Sequence, residues 1–256
     1  MHTDYPYIFD SRPKLAFSAW LKMLGANVLS FVLLTTPVLS SIPLFKPLSN
    51  SELYDVSIMA ISRQIMPALL FLAINFLGVY WAVGKDWRKL FRPIKVKDIW
   101  FILLLILAAF LANYFTGQIT DALFGHEVNP NAAINIHHEN GWAAFLLARV
   151  TDLIQLLGEE FLAIISFLAF TQLANHWNWS RKTALVFGLV LSSILFGVYH
   201  ISTYDYNVGY AIIGLFLGRM VMTIAFMRTK SIWASFLVHY IYDFIGFYAA
   251  FVALAH

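Results

Sequence analysis

Seven apolar stretches recur along the chain, each close to the roughly 20 residues that a helix needs to cross the hydrocarbon core of a bilayer. Backbone polar groups cannot stay unpaired in lipid, so such stretches fold as helices. The sequence therefore predicts an all-α protein, a polytopic membrane bundle with about seven crossings. An eighth crossing is the alternative, because the first stretch is long enough for a span and a short interfacial piece. The stretches lie at about 15–40, 58–83, 98–116, 142–170, 183–203, 207–227 and 231–254.

Composition supports a membrane protein. Charged residues make up 12% of the 256 residues, against about 25% in a soluble domain. The absence of Cys excludes disulfides, thiolate metal sites and a Cys nucleophile. The segment Met1 to Lys14 is polar and lacks an apolar core with a cleavage site, so we expect no removable signal peptide. The sequence shows no internal repeat, no low-complexity run and no segment that indicates a second domain. We therefore expect one membrane-embedded domain over residues 1–256.

The distribution of Lys and Arg predicts the orientation. Successive connecting segments lie on alternate sides of the membrane. The segments on one side hold twelve Lys and Arg residues, whereas the segments on the other side hold only Lys46. Basic loops stay in the cytoplasm, so we predict a cytoplasmic N-terminus and, with seven spans, an external C-terminus. We expect a bacterial cell membrane, contact with the lipid bilayer and no nucleic-acid partner, and the oligomeric state stays open. The twelve are Arg12, Lys14, Lys85, Arg88, Lys89, Arg92, Lys95, Lys97, Arg181, Lys182, Arg228 and Lys230.

One long polar connection, Gly117 to Gly141, falls on the outer side in this topology. Its His and Glu residues make a metal site conceivable. No second His follows the first at the four-residue spacing of a zinc helix, and loops are normally polar surface. The pattern therefore favours a solvated loop. The residues concerned are His126, Glu127, His137, His138 and Glu139.

Two adjacent carboxylates, Glu159 and Glu160, interrupt the fourth apolar stretch. An ionisable group at bilayer depth costs roughly 2.5–3.5 kcal/mol on insertion scales, so a functional role is the first hypothesis. The alternative is a structural pair with an Arg of another helix. Arg149, Asp152 and Gln155 share one helical stripe with Glu159, and we expect Arg149 and Asp152 to pair with each other. Glu160 lies about 100° around the helix and should face a neighbouring span.

Two later spans carry His and Asp at helical spacing. Phe196 and His200 are four residues apart, as are His239 and Asp243, so each pair shares a face. Counting the helical rise from the cytoplasmic ends places His239 roughly 13 Å, Glu160 about 18 Å and His200 about 25 Å into the membrane, so helix tilt is needed for them to converge near or slightly outside the midplane. This set suits water-driven amide cleavage: a carboxylate deprotonates water with help from a His, and the other His and Asp stabilise the oxyanion. The chain contains none of the motifs His-Glu-x-x-His, Gly-x-Gly-Asp and Gly-x-Ser-x-Gly. Their absence argues against an intramembrane protease of the zinc, aspartyl or serine type.

These three motifs, in this order, resemble the CPBP family, which contains type II CAAX prenyl endopeptidases and bacteriocin-processing and immunity proteins and is also called the glutamic intramembrane proteases. The resemblance covers about 98–254 and implies a catalytic core there, with a cavity open to one side of the membrane and a peptide or protein substrate. It implies Glu159 as the base assisted by His200, with His239 and Asp243 on the oxyanion side. It requires no cofactor. Zinc remains an option, and its ligands would then be Glu159, His200 and His239.

The chain departs from the family pattern at one position. The first motif of the family usually continues to an Arg, where this sequence has Ile164. Glu160 must then be neutral or find another cation, and we predict Arg219 of the sixth span as its partner. The alternative is that Arg219 extends to the cytoplasmic interface.

These residues support three hypotheses about the function of the chain. An intramembrane endopeptidase accounts for the Glu, the two His and the Asp together. A catalytically inactive family member, acting as a membrane scaffold or a bacteriocin self-immunity protein, is the alternative that the missing motif Arg favours. A proton-relaying transporter is less well supported, because no inverted repeat or pair of broken spans is evident. The sequence does not reveal the substrate.

Overall fold

The computed structural model describes residues 4–11, 13–46, 48, 57–125 and 141–253, and these ranges contain seven long helices and no strand. Each helix, with its flanking turns where needed, is long and apolar enough to cross a membrane. The predicted all-α membrane bundle with seven crossings is therefore confirmed, and an eighth span is not found in the described ranges. The helices are α1 Phe17–Thr35, α2 Ile58–Val83, α3 Val96–Phe124, α4 Gly141–His176, α5 Arg181–Tyr199, α6 Leu215–Thr229 and α7 Ile232–Ala253.

The third helix is longer than its apolar stretch predicts. It continues from residue 116 to Phe124 because its polar side chains find acceptors within the helix. Thr116 Oγ1 lies 3.1 Å from the carbonyl oxygen of Ala112, and Thr120 Oγ1 lies 3.0 Å from that of Thr116. The polar connection expected from Gly117 is thus shorter than predicted. Its His and Glu residues, at positions 126, 127 and 137–139, lie outside the described residues.

The first apolar stretch also ends earlier than predicted. Helix α1 stops at Thr35 and is followed by short 3₁₀ turns at Pro37–Leu39 and Pro43–Phe45. This matches a span plus a short interfacial piece.

Helix α4 occupies the centre of the bundle. All side chains from residue 158 to residue 169 are buried, which is typical of a helix surrounded on every face. It packs against α1, α2, α5, α6 and α7, while α3 packs against α6 and α7. The two predicted site carboxylates stand at the beginning of this buried run and are therefore enclosed by other helices.

Two glycines allow the close contacts around this helix. A Cβ on Gly158 would lie 2.5 Å from the Phe71 ring, so α2 can approach α4 beside Glu159 only because this side chain is absent. A Cβ on Gly197 would lie 2.7 Å from both Ala211 O and Ile212 Cα. The close approach holds the end of α5 against the π-helical turn Tyr210–Gly214 that leads into α6.

The N-terminal segment closes one end of the bundle. Arg181 forms an ion pair with Asp4, and Arg92 Nη2 donates to the Asp4 carbonyl oxygen at 2.9 Å. Lys230 Nζ lies 3.6 Å from the centre of the buried Tyr5 ring, and burial lowers the pKa of this ammonium to about 8. Basic residues of three connecting segments thus meet at one end, as the charge pattern predicts. The side of the membrane that this end faces stays a prediction.

That prediction can be tested with single cysteines, because the chain has none. Lys182 is exposed in the first turn of α5, and Thr203 is exposed four residues beyond Tyr199, where α5 ends. We expect a membrane-impermeant maleimide to label Thr203→Cys in intact cells, and Lys182→Cys only after permeabilisation, because the basic segments should be cytoplasmic. The reverse pattern would contradict the predicted orientation.

Candidate active site

A cavity of about 350 Å³ lies beside α4 and contains all four residues that the sequence singled out for chemistry. Glu159 comes from α4, His200 caps the end of α5, and His239 and Asp243 come from α7. The structure therefore brings together groups that are up to 84 positions apart in the sequence. Aromatic side chains form much of the remaining wall, namely Phe31, Phe71, Phe196, Tyr199, Tyr204, Tyr242 and Phe247.

The Glu159 carboxylate has one oxygen held and one oxygen directed at the two imidazoles. Gln155 Nε2 donates to Glu159 Oε1 at 3.1 Å, from one helical turn earlier. Glu159 Oε2 lies 3.6 Å from His200 Nε2 and 4.0 Å from His239 Nε2. Both separations exceed direct hydrogen-bond length, so neither imidazole is hydrogen-bonded directly to this oxygen.

The orientation of His200 follows from the end of α5. Its Nδ1 lies 2.8 Å from the carbonyl oxygen of Phe196, the residue one turn earlier. A carbonyl oxygen only accepts, so Nδ1 carries the hydrogen and Nε2 is the nitrogen that faces Glu159. The Phe196 ring also lies 4.2 Å from the imidazole, centre to centre. The four-residue spacing thus has a physical role, because Phe196 holds the imidazole through both its carbonyl and its ring.

Glu160 is fully buried and faces α6 and α7. Its carboxylate accepts Arg219 Nη1 at 2.6 Å and Arg219 Nη2 at 3.1 Å, a bidentate pair. It also accepts hydrogen bonds from Ser235 Oγ and from His239 Nδ1, the latter at 2.9 Å. The predicted Glu160–Arg219 pair is confirmed. The alternative, in which Arg219 reaches the interface, is wrong because this side chain is only 1% exposed.

Ile164 stands where the resemblance would place an Arg, and it lies in the apolar core with no exposed surface. A cation at position 164 is therefore unnecessary for Glu160. Arg219 supplies the charge from a different helix, and its Nε additionally lies 3.4 Å from Thr223 Oγ1.

His239 is oriented by Glu160. Because a carboxylate accepts the Nδ1 hydrogen, Nε2 points into the cavity, 3.6 Å from Asp243 Oδ2. Ser235, His239 and Asp243 are spaced by four residues on one face of α7. Ser235 was not predicted as a site residue. This spacing could have identified it, although a buried Ser in an apolar helix is by itself a weak signal.

A second charged pair lies farther along α4. Arg149 Nε is 3.0 Å from Asp152 Oδ2, which confirms the pairing expected from the helical stripe. Asp152 lines the cavity, while the Arg149 guanidinium is buried against the Phe247 ring at 4.1 Å. Asp152 therefore adds a polar group to the cavity lining together with Gln155, and Arg149 pairs with it from outside the lining.

Two imidazole nitrogens and a carboxylate oxygen are donors that suit zinc. Within the described part of the chain, no cluster of three or more His, Asp or Glu side chains has the arrangement of a metal site. Zinc binding by Glu159, His200 and His239 stays an option that the sequence leaves open and that is not tested.

Comparison with known proteins identifies one family. The model of a family described as "Rce1-like: Type II CAAX prenyl endopeptidase Rce1-like" matches residues 139–245, somewhat under half of the chain. The matched segment contains Glu159, His200, His239 and Asp243. Neither the curated proteins nor the solved structures contain a match to the chain.

The buried ion pair makes a prediction about folding. Arg219→Ala leaves the Glu160 carboxylate without its cation, and breaking a buried pair costs roughly 3–5 kcal/mol. We expect less folded protein in the membrane and earlier thermal unfolding. Adding Glu160→Gln to Arg219→Ala should restore much of the loss, because the uncompensated charge is gone. Arg228→Ala, at the exposed end of α6, is the matched control and should behave like the wild type. A double variant no better than Arg219→Ala would contradict this account.

Proposed function

We propose that the chain is an active intramembrane endopeptidase that uses Glu159 to activate water, because residues 139–245 match the model of the Rce1-like family of type II CAAX prenyl endopeptidases. The observation that supports this most is the position of Glu159 Oε2, between the Nε2 atoms of His200 and His239 in a cavity lined by helices that are long and apolar enough to span a membrane. We further propose that its substrate is a peptide or a membrane-associated protein, in a bacterial cell membrane.

The first step of the proposed reaction is proton transfer from water. A water molecule between Glu159 Oε2 and His200 Nε2 would donate one hydrogen to the carboxylate, while its oxygen attacks the peptide carbonyl carbon. General-base assistance of this kind contributes about 10²–10⁴ in rate. Gln155 keeps Glu159 Oε1 occupied, so Oε2 is the oxygen that receives the proton.

The developing oxyanion requires donors on the opposite side of the carbonyl. His239 Nε2 and Asp243 Oδ2 are 3.6 Å apart and both line the cavity. His239 donates from Nε2 when its ring is protonated, a form that the Glu160 carboxylate at Nδ1 stabilises. Asp243 donates when its carboxyl carries a proton. Collapse of the tetrahedral intermediate breaks the C–N bond, and Glu159 returns its proton to the leaving amine.

The alternative is an inactive scaffold or self-immunity protein of the same family. Its main support was the missing motif Arg at position 164. Arg219 removes much of that support, because it gives Glu160 a bidentate cation partner. We therefore propose the protease in preference to the binder.

The experiment that tests the protease uses purified protein in liposomes with a panel of quenched-fluorescence peptides, including a farnesylated CAAX peptide. We predict that Glu159→Gln, His200→Ala and His239→Ala each lower cleavage by at least about 10²-fold, while the protein still accumulates. Asp243→Ala should lose about 10²–10³ in rate. Asp205→Asn, a carboxylate-to-amide change outside the cavity lining, is the control. Cleavage that survives Glu159→Gln would contradict the mechanism, and binding without cleavage by the wild type would favour the inactive alternative.

The role of Asp243 makes a separate prediction about pH. An ionised carboxylate has no hydrogen to donate, whereas an amide donates at any pH. Asp243→Asn should therefore lose less activity than the wild type as the pH rises, so that the ratio of variant to wild-type rate increases. A ratio that is independent of pH would show that Asp243 does not act as a protonated donor.

A further inference from the structure

An open apolar groove lies on the face of α4 opposite to the cavity. Leu157 and Phe161 form its floor, and each lies about 200° around the helix from Glu159. The groove has a volume of about 640 Å³ and is bounded by α2, α4, α7 and the short 3₁₀ helix Gly84–Leu90 with the residue that follows it. The remaining lining residues are Leu69, Leu72, Ala73, Phe76, Trp87, Arg88, Phe91 and Trp233.

The walls of this groove are held in place by a chain of ring contacts. Ring centres lie 5.1 Å apart for Phe76 and Trp87, 5.5 Å for Phe91 and Phe161, and 5.1 Å for Phe91 and Trp233. Rings in such edge-to-face and tilted contacts have little freedom to collapse into the groove. Arg88 is the one charged residue in the lining, and a site with so few polar partners is poorly suited to ordered water. In a bilayer, the occupant that fits is a hydrocarbon chain.

The rim of the groove is basic. Arg88 lines it and is exposed, and Lys85 is three residues earlier on the same 3₁₀ helix. Residues three apart eclipse in a 3₁₀ helix, so these two cations share a face. Lys89, by contrast, is paired with Asp86 at 2.7 Å. The groove therefore combines an apolar trough with one cation in its lining, Arg88, and a second cation, Lys85, on the same face of the adjoining 3₁₀ helix.

We propose that this groove binds an anionic glycerophospholipid, with an acyl chain along Leu157 and Phe161 and the headgroup phosphate against Arg88 and Lys85. Basic pockets between transmembrane helices are suited to anionic headgroups. An isoprenoid chain would fill the trough but would leave the two cations without an anion. The site is separate from the catalytic cavity, so it can be tested without a protease substrate.

The test is native mass spectrometry of the full chain in detergent, titrated with phosphatidylglycerol and, separately, with phosphatidylcholine of the same acyl chains. The wild type should retain phosphatidylglycerol more strongly. Arg88→Gln should weaken phosphatidylglycerol binding about fivefold, with little change for phosphatidylcholine. Arg228→Gln removes an exposed cation outside the groove lining and should match the wild type.

A second arm fills the trough. Ala73 is exposed in the groove, so Ala73→Trp should remove binding of both lipids, whereas Ala143→Trp, exposed but outside the lining, should not. Leu69→Trp gives an independent block if Ala73→Trp folds poorly. The proposal is overturned if phosphatidylglycerol binds equally to the filled variants, if Arg228→Gln weakens binding as much as Arg88→Gln, or if farnesol displaces phosphatidylglycerol while phosphatidylglycerol shows no preference over phosphatidylcholine.

Discussion

The Glu160 carboxylate is the interaction on which the site depends. It is fully buried, and the groups that donate to it come from α6 and α7, so one side chain connects three helices. Arg219 balances its charge, which offsets the desolvation cost of burying the carboxylate. Ser235 Oγ and His239 Nδ1 also donate to it, and the contact with Nδ1 orients the His239 ring so that Nε2 faces the cavity. The ion pair that stabilises the bundle therefore also orients a catalytic candidate.

Two adjacent glutamates have different environments because the helix separates them by about 100°. Glu159 faces a cavity and has one oxygen free of protein donors, whereas both oxygens of Glu160 are occupied. A carboxylate that acts as a general base needs an accessible oxygen. A buried carboxylate with a structural role needs both oxygens hydrogen-bonded. This difference supports chemistry at Glu159 and positioning at Glu160, although both residues are equally conspicuous in the sequence.

Much of this arrangement could be predicted from the sequence, because membrane burial makes polar residues informative. The seven spans, the stripe of Arg149 and Asp152, and the Arg219 partner of Glu160 follow from apolar length, helical spacing and the cost of buried charge. The extension of α3 to Phe124 did not follow, because Thr side chains that bond back to their own helix resemble a polar loop in sequence. The role of Ser235 was only weakly indicated by its four-residue spacing from His239, since a neutral hydroxyl in an apolar helix is common and its partner lies on another helix.

Thermal unfolding of Glu159→Gln and Glu160→Gln, measured side by side in the same detergent by circular dichroism, tests the assignment of the two carboxylates without any substrate. Neutralising Glu160 leaves Arg219 buried without its anion, which should lower the unfolding temperature by on the order of 10 °C. Neutralising Glu159 removes no ion pair of this kind and should leave the unfolding temperature nearly unchanged. Equal destabilisation, or a larger loss for Glu159→Gln, would contradict the account.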